Sequence, residues 1–425
     1  MYKIIILIEP AEGHFNPFVP IIKKFVEQGN QVLCMTGSNY KERVEKTGAT
    51  FHNIPSNWDP EDKDIFDIFP ELKKRRGLSQ IKYYLKHILF DQVPDVLNAL
   101  KTILESFAAD VVIGDSFMIA GGWMTELGGP PNVRLSVLPL GLSGKNIPPY
   151  GLGMLPGKTM LSKLRIRFLS ILFEKIVFND VKRYANKIRQ QLNLTPYKKI
   201  IFKYAYEIPA LVLHTSIPSF EYPRKEFPAN FRFIGPIIIN PRDDYKKPEW
   251  WSELYNGFTV VLVNQGTIAK DHNNLIQPAI EGLKNENINI IAVPVKKGEI
   301  RDTPKNVHTE PYIPFGNLLP HVDVMITNGG FGGTQNALAH GIPVIIAGAT
   351  EDKMEVAARI EYSGAGINLK KQQPTSGDIK KAVRMILDDS SYRKKAEELK
   401  VAYAEYDAPT LAVELVKDLI MKHKA

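Results

Sequence analysis

Along most of the chain, short all-apolar runs alternate with stretches whose apolar positions recur every three or four residues. Residues 3–9 form an apolar run, and a helical pattern over 17–28 follows, closed by Gly29. Residues 31–36 are the next run, 38–46 a helix that Ser38 can cap and Gly48 ends, and 50–54 a third run. Strands that take turns with helices in this way predict a doubly wound parallel sheet. After an acidic loop at 59–67 and helical patterns up to about Ser106, strands are expected at 110–114, 133–136, 210–214 and 231–234, with a helix over 117–127. A Pro/Gly-rich loop, 139–158, leads into long basic helices. Residues 235–248, with Pro236, Pro241 and Pro248, read as a linker and a hinge. The alternation then restarts, with strands at 258–263 and 288–293, helices at 275–283, 351–362, 379–387 and 392–406, and a last helix at 411–421. The chain therefore reads as two similar α/β domains.

The stretch 324–343, VMITNGGFGGTQNALAHGIP, organises the second half. A buried strand at 324–326 breaks at Asn328-Gly329-Gly330 and again at Gly332-Gly333, and a helix from Thr334 to His340 follows before Gly341 and Pro343 stop it. Glycines between a strand and a helix let the backbone approach a ligand closely, and the helix start favours an anion such as a diphosphate. A Gly-rich turn with a packing role alone is the alternative.

The first strand delivers Glu9-Pro10-Ala11-Glu12-Gly13-His14-Phe15-Asn16-Pro17. His14 is expected in a loop at a strand's carboxyl end, with Asn16 as a cap and Pro17 in the helix's first turn. A histidine there can serve as a general base near neutral pH, or simply bond the backbone. Asp115 ends a strand of the same sheet, so it can reach His14 and hold the ring in one tautomer. Asp110, at the other end of that strand, reads as a turn residue.

Composition narrows the class. At 425 residues the chain exceeds one ordinary core, so two or three domains are expected. Contents of 44% hydrophobic and 24% charged residues are those of a soluble globular protein, and no run of 18 apolar residues predicts a membrane span. Cys34, within an apolar run, is the sole cysteine, which excludes an internal disulfide framework and suits a reducing compartment. The opening MYKIIILIEP reads as a strand rather than a signal peptide, and the expected location is cytoplasmic. The net charge of +8 concentrates at residues 73–76 and 158–189. The second region also carries Leu161, Leu164, Phe168 and Leu172 at helical spacing, so a solvated helix face is the first reading and a weak membrane-surface contact the second. No nucleic-acid motif occurs. Asp62-Lys63-Asp64 spells D-x-D, but it sits in an acidic loop and reads as solvated surface, so no metal is assigned.

Taken together, the two elements resemble the family 1 nucleotide-sugar glycosyltransferases of the two-domain GT-B fold, especially the bacterial and fungal branch acting on macrolides and phenolics. Gly13-His14-Phe15-Asn16-Pro17 matches G-H-x-N-P, the donor motif spans 312–353, and the likeness covers nearly the whole chain. The resemblance implies two doubly wound Rossmann-like domains facing a central cleft. Residues 1–237 would bind the acceptor, 238–407 the donor, and a C-terminal helix, 408–425, would pack back on the first domain. It implies His14 as the base and Asp115 as its partner. Tyr312, often Trp in the family, would stack on the nucleotide base. Thr334 with the backbone of Gly329, Gly330, Gly332 and Gly333 would hold the diphosphate, which Gly266 and Thr267 would also face, and Asp352 would bond sugar hydroxyls. Three departures bear on donor choice: Asn328 stands for the usual His at the α-phosphate, Asn336 for the Glu at the ribose, and Lys353 for a Gln at the sugar. Phe315 replaces the Gln of the W-x-P-Q pattern.

The activity implied is an inverting transfer of a hexose, as from UDP-glucose, to a hydroxyl of an apolar small molecule bound near Trp58, Phe66 and Phe117. The nucleotide sugar is a co-substrate and no cofactor is implied; a monomer or homodimer is expected. A transferase for a lipid acceptor at a membrane surface and a nucleotide-sugar epimerase are the alternatives, although the epimerase would not need the G-H-x-N-P loop. A dinucleotide oxidoreductase is disfavoured, since no G-x-G-x-x-G follows the first strand.

Overall fold

The computed structural model describes residues 1–61, 63, 65–266, 271–294, 300, 303–349 and 352–424. Among them, the first sheet contains β1 (Lys3–Leu7), β2 (Gln31–Thr36), β3 (Thr50–Asn53), β4 (Val111–Asp115), β5 (Asn132–Ser136), β6 (Leu211–His214) and β7 (Phe231–Phe233). Its order is β3-β2-β1-β4-β5-β6-β7 and every pairing is parallel. The second contains β8 (Thr259–Asn264), β9 (Ile288–Val293), β10 (Val307–Thr309), β11 (Val324–Thr327), β12 (Val344–Ile346) and β13 (Gly366–Asn368), in the parallel order β10-β9-β8-β11-β12-β13. Both are the doubly wound sheets that the alternating pattern predicts. β10 and β13 were not foreseen, because three-residue edge strands are too short to carry a period.

Side-chain alternation along the strands divides each sheet between two cores. In the first, Ile5, Leu7, Met35 and Val112 join one cluster, and Ile4, Ile6, Cys34 and Ile113 the other. Cys34 is thus a packing residue, and burial pushes its thiol pKa far up, away from reactivity. The last helix, Ala408–Lys424, returns to the first sheet and adds Ala412, Val413, Val416 and Ile420 to the second of these clusters. Asp110 takes the Lys3 N–H at 2.7 Å and the Lys424 ammonium at 2.6 Å, which ties that helix's end to the sheet's amino edge.

The two halves are stapled by a buried charged network. Arg359, from helix Lys353–Ser363, and Glu221, from the segment between β6 and β7, are each 1% exposed in their side chains and meet at 2.7 Å. Arg359 also donates to the Leu140 carbonyl at 2.9 Å and pairs with Glu355 at 3.1 Å, while its guanidinium lies 4.8 Å from the Tyr222 ring centroid. Glu221 accepts from the Leu140 N–H at 3.0 Å and contacts His214 at 3.2 Å. Glu355 in turn accepts the Gly151 and Gly153 N–H groups at 2.8 and 2.9 Å, so the Pro/Gly-rich loop of the first half is held by a helix of the second.

The linker is not a free spacer. Gly235 has φ +83, and a Cβ there would lie 2.2 Å from the Tyr406 Cβ. Asn336 binds both Ile237 and Ile239, and Asn317 binds Arg242, so the segment is laid down along the second half.

The staple makes a stability prediction. Arg359 beside Glu221 outweighs the burial that would raise its carboxyl, and holds its pKa down at about 2, against an ordinary 4.5. The contribution is complete above pH 4.5 and fades as pH falls through about 2. Glu221→Gln leaves a buried guanidinium without its carboxylate and should cost about 3–5 kcal/mol. Urea unfolding at neutral pH reads this directly; a loss below about 1 kcal/mol would mean that the pair is not a staple.

Candidate active site

In a doubly wound sheet the ligand crevice lies outside the carboxyl ends of the strands, where the strand order reverses. In the first sheet this switch point is between β1 and β4, which lead directly to His14 and Asp115. In the second it is between β8 and β11, which lead to Gly266 and to Asn328-Gly329-Gly330.

His14 is not in a loop. The helix begins at Glu12 and runs to Glu27 with Pro17 and Pro20 inside it, because the Ala11 carbonyl takes the His14 and Phe15 N–H groups at 2.9 and 2.8 Å and closes the first turn early. Asn16 is therefore no cap; it bonds Glu12 and Arg43 on the helix face. His14 Nδ1 lies 3.2 Å from Asp115 Oδ2, as expected of the pair. Asp115 is 2% exposed and accepts two backbone N–H groups, from Glu9 at 2.8 Å and Phe117 at 2.5 Å. Burial alone would raise its carboxyl, but His14 and these donors outweigh burial and hold the pKa below the ordinary value. Burial would lower the His14 pKa, yet Asp115, Glu9 and Asp352 together raise it. Asp352, at the head of helix Lys353–Ser363, thus brings the second half's charge to bear on the first half's histidine.

Glu9 was missed in the sequence. It is 9% exposed, and Tyr84 donates to it at 3.4 Å. Burial first, and Asp115 next, raise its pKa to about 7. An acid two residues past an apolar strand was visible; that it is buried against Asp115 was not.

In the second half, Gly329 has φ +94 and a Cβ there would strike Ile346 at 2.7 Å, so the turn demands glycine. Gly330 and Gly332 face open space, with nothing within 4 Å of an added Cβ. They flank the start of helix Phe331–Ala339, whose first-turn N–H groups lack intrahelical acceptors. That helix starts three residues before Thr334, whose buried hydroxyl has no hydrogen-bond partner among the described residues. Asn328 donates to the Gln265 carbonyl and so joins the ends of β11 and β8 beside Gly266, with φ +78. Thr267 lies outside the described residues, as do Asp62, Asp64 and Glu351. Tyr312 is 61% exposed. The Asn336 amide donates to Ile237 and Gly332 and accepts from Ile239, so its side chain ties the linker to the helix start. Lys353 is buried in the first turn of its helix, and Glu355, two residues on, is bound to the 151–153 loop and Arg359.

Beside the dyad lies a cavity of about 150 Å³, bounded by Asp115, Phe117, Arg134, Tyr150, Trp123 and Tyr206 among others. Phe117 connects it to the dyad, its ring 4.7 Å from the His14 ring. Trp58 does not line it; its indole donates to Asp95 at 2.7 Å and stacks on Phe69. Phe66, on the short helix Ile65–Ile68, does not line it either.

Residues 282–421 match the C-terminal domain family of erythromycin biosynthesis protein CIII-like proteins. The chain is 36% identical to 4'-demethylrebeccamycin synthase of Lentzea aerocolonigenes over 98% of its own length and 99% of that protein. It is 31% identical to UDP-glycosyltransferase 2 of Phaeomoniella chlamydospora over 95% and 93% of the two chains. Among solved structures, a calicheamicin glycosyltransferase superposes with a TM-score of 0.76 at 18% identity, covering 99% of this chain and 98% of that one. A spinosyn rhamnosyltransferase complexed with thymidine diphosphate does so at 0.70 and 16% identity, over 98% and 100%.

The carboxylates around His14 predict a titration. Glu9→Gln removes one negative charge, so the His14 midpoint, followed by NMR of its ring protons, should move to lower pH; Asp115→Asn should move it further. The Glu9 effect appears above pH about 7, where that carboxyl is ionised in the parent protein. A midpoint unchanged by Glu9→Gln would take Glu9 out of the field that His14 feels.

Proposed function

The chain belongs to the family 1 nucleotide-sugar glycosyltransferases, enzymes of the GT-B fold, and from that premise we propose an inverting hexosyl transfer from a nucleoside diphosphate sugar such as UDP-glucose to a hydroxyl of an apolar, ring-bearing molecule. The observation that carries this reading is the His14–Asp115 pair, 3.2 Å apart, standing under the charge of Asp352 from the opposite half. With Nδ1 turned to Asp115, Nε2 is the atom that takes the acceptor's proton. Asp115 stays ionised, orients the ring and stabilises the imidazolium. The alkoxide attacks the anomeric carbon on the face away from the diphosphate, the bond to the diphosphate breaks, and one displacement inverts the centre. The leaving diphosphate gathers negative charge at the N-terminus of helix Phe331–Ala339, where the open faces of Gly330 and Gly332 leave room and the fixed N–H dipoles stabilise it. Asp352 would bond sugar hydroxyls, with Lys353 beside it, and Tyr312 would stack on the base. Asn328 would donate its amide where the family has an imidazole. Asn336, bound to the linker, is left out of the ribose site.

His14→Ala should lower kcat by roughly 10²–10⁴ while the Kd for nucleoside diphosphate holds. Asp115→Asn should lose less, since it orients the base without taking the proton. Wild-type turnover by His14→Ala at saturating acceptor would end this assignment, and a product of retained anomeric configuration would end the single displacement.

A second reading, a lipid acceptor met at a membrane surface, has one observation in its favour. No helix among the described residues is long and apolar enough to cross a membrane. Helix Met160–Leu172, however, exposes Met160, Leu161, Leu164, Phe168 and Ile171 as one stripe, flanked by exposed Lys163, Arg165 and Arg167. That is the pattern of a helix lying in a lipid interface. Co-sedimentation with anionic vesicles, abolished by Leu164→Glu with Phe168→Glu, would support it; protein that stays in the supernatant at low salt would dismiss it.

A further inference from the structure

Arg134 occupies the middle of β5, where Asn132, Arg134 and Ser136 share the strand face that lines the cavity. Val133 and Leu135 point to the other core. A guanidinium in such a place ordinarily has a carboxylate partner, because taking the charge out of water costs several kcal/mol when it is not compensated. Arg134 has none: among the described residues no ion pair or hydrogen bond reaches it, and its Nε is buried without an acceptor. The Tyr206 ring centroid lies 5.9 Å from its guanidinium carbon. The Tyr206 hydroxyl is itself held by the Gly141 N–H at 3.0 Å. Asp115 stands on the same cavity and contributes a favourable field, but its oxygens are taken by His14 and by the N–H groups of Glu9 and Phe117. Burial draws the Arg134 pKa down from its ordinary value, yet guanidinium stays cationic at any physiological pH.

Besides Asp115, Ser116, Asn132 and Ser136, the cavity is lined mainly by apolar and aromatic side chains. Its volume, about 150 Å³, accommodates a single benzene-sized ring. A ring in that space would meet a cation that no carboxylate pairs directly among the described residues, in the fork geometry that suits one.

We infer that Arg134 is an anion-reading subsite of the acceptor pocket, and that the acceptor is an aromatic hydroxy acid whose carboxylate pairs with Arg134 while its hydroxyl turns to His14. This rests on the glycosyl-transfer reading and adds the acceptor's charge to it. The two ends of the molecule would then be fixed by Arg134 and by the dyad, with the ring passing Phe117. A neutral ring of the same shape would leave the guanidinium desolvated and unpaired, and so be selected against.

The test compares 4-hydroxybenzoate with its methyl ester in wild type, Arg134→Met and Arg134→Lys. Two readouts are taken: kcat/KM with a UDP-hexose, and protection from heat unfolding by each acceptor in the presence of UDP. The acid should exceed the ester at least tenfold in wild type; Arg134→Met should bring the ratio to one or below, mainly through KM, and Arg134→Lys should restore it in part. Arg134→Met should melt no lower than wild type, since it removes a half-buried charge that makes no ion pair or hydrogen bond among the described residues. An acid-to-ester ratio of one in wild type, or the same ratio in all three proteins, overturns the subsite. So does a large fall in melting temperature with Arg134→Met, which would make the residue a structural support for Asp115. Protection by the acid that Arg134→Met abolishes, with no sugar transferred to either compound, keeps the subsite and refutes the transfer reading. Transfer to both compounds without preference does the reverse.

Discussion

Everything in this molecule that could act across two domains depends on a buried ion pair that joins them. Arg359 and Glu221 are almost wholly removed from water, at a distance of 2.7 Å. Two such charges are tolerable only where further hydrogen bonds satisfy what remains of each group. Here both take hold of the Leu140 backbone, one at its carbonyl and one at its N–H, and Glu355 carries the same helix's grip to Gly151 and Gly153. The result is geometric. The loop after β5 is pressed against helix Lys353–Ser363, which places Asp352 at the helix head within the electrostatic reach of both His14 and Tyr150.

The cleft so formed has opposite polarity on its two walls. On one, Glu9 and Asp115, joined by Asp352 from across the cleft, favour the cationic form of a histidine, which is the form it takes once it has accepted a proton. On the other, a helix start and a glycine turn offer N–H dipoles to a growing negative charge. A reaction that moves a proton toward the first wall and an anion toward the second is stabilised by both without any rearrangement of the protein. The coupling of Glu9 to Asp115 adds sensitivity to pH near neutrality, because the same carboxylates that stabilise the imidazolium also make the free base scarcer.

The departures from the family pattern take different places in the fold. Asn328 remains at the mouth of the cleft, joining the ends of β11 and β8. Asn336 has passed to architecture, clamping residues 237 and 239 of the linker. An uncharged amide both donates and accepts, which is what a backbone carbonyl and a backbone N–H two residues apart require and what a carboxylate could not supply.

The architecture was readable from the chain because it rests on local rules. Apolar runs against helical periods marked most of the strands, the glycines at 329 to 333 marked the turn after β11, and His14, which follows β1, and Asp115, which ends the adjacent β4, were expected to meet at a switch point. Where the reading slipped, the cause was also local: Pro17 suggested a helix start that the Ala11 carbonyl had already made at Glu12, and β10 and β13 were too short to show a period. What no pattern could disclose were the properties set by neighbours remote in sequence. Glu221 and Arg359 are 138 positions apart, and Glu355 and Gly151 are 204. The burial of Glu9 against Asp115, the unpaired charge of Arg134 within an aromatic cavity, and the commitment of Asn336 to the linker each depend on which distant groups share the space. Ionisation and hydrogen bonding respond to the local dielectric and to partners in three dimensions, and those exist only once the chain has folded.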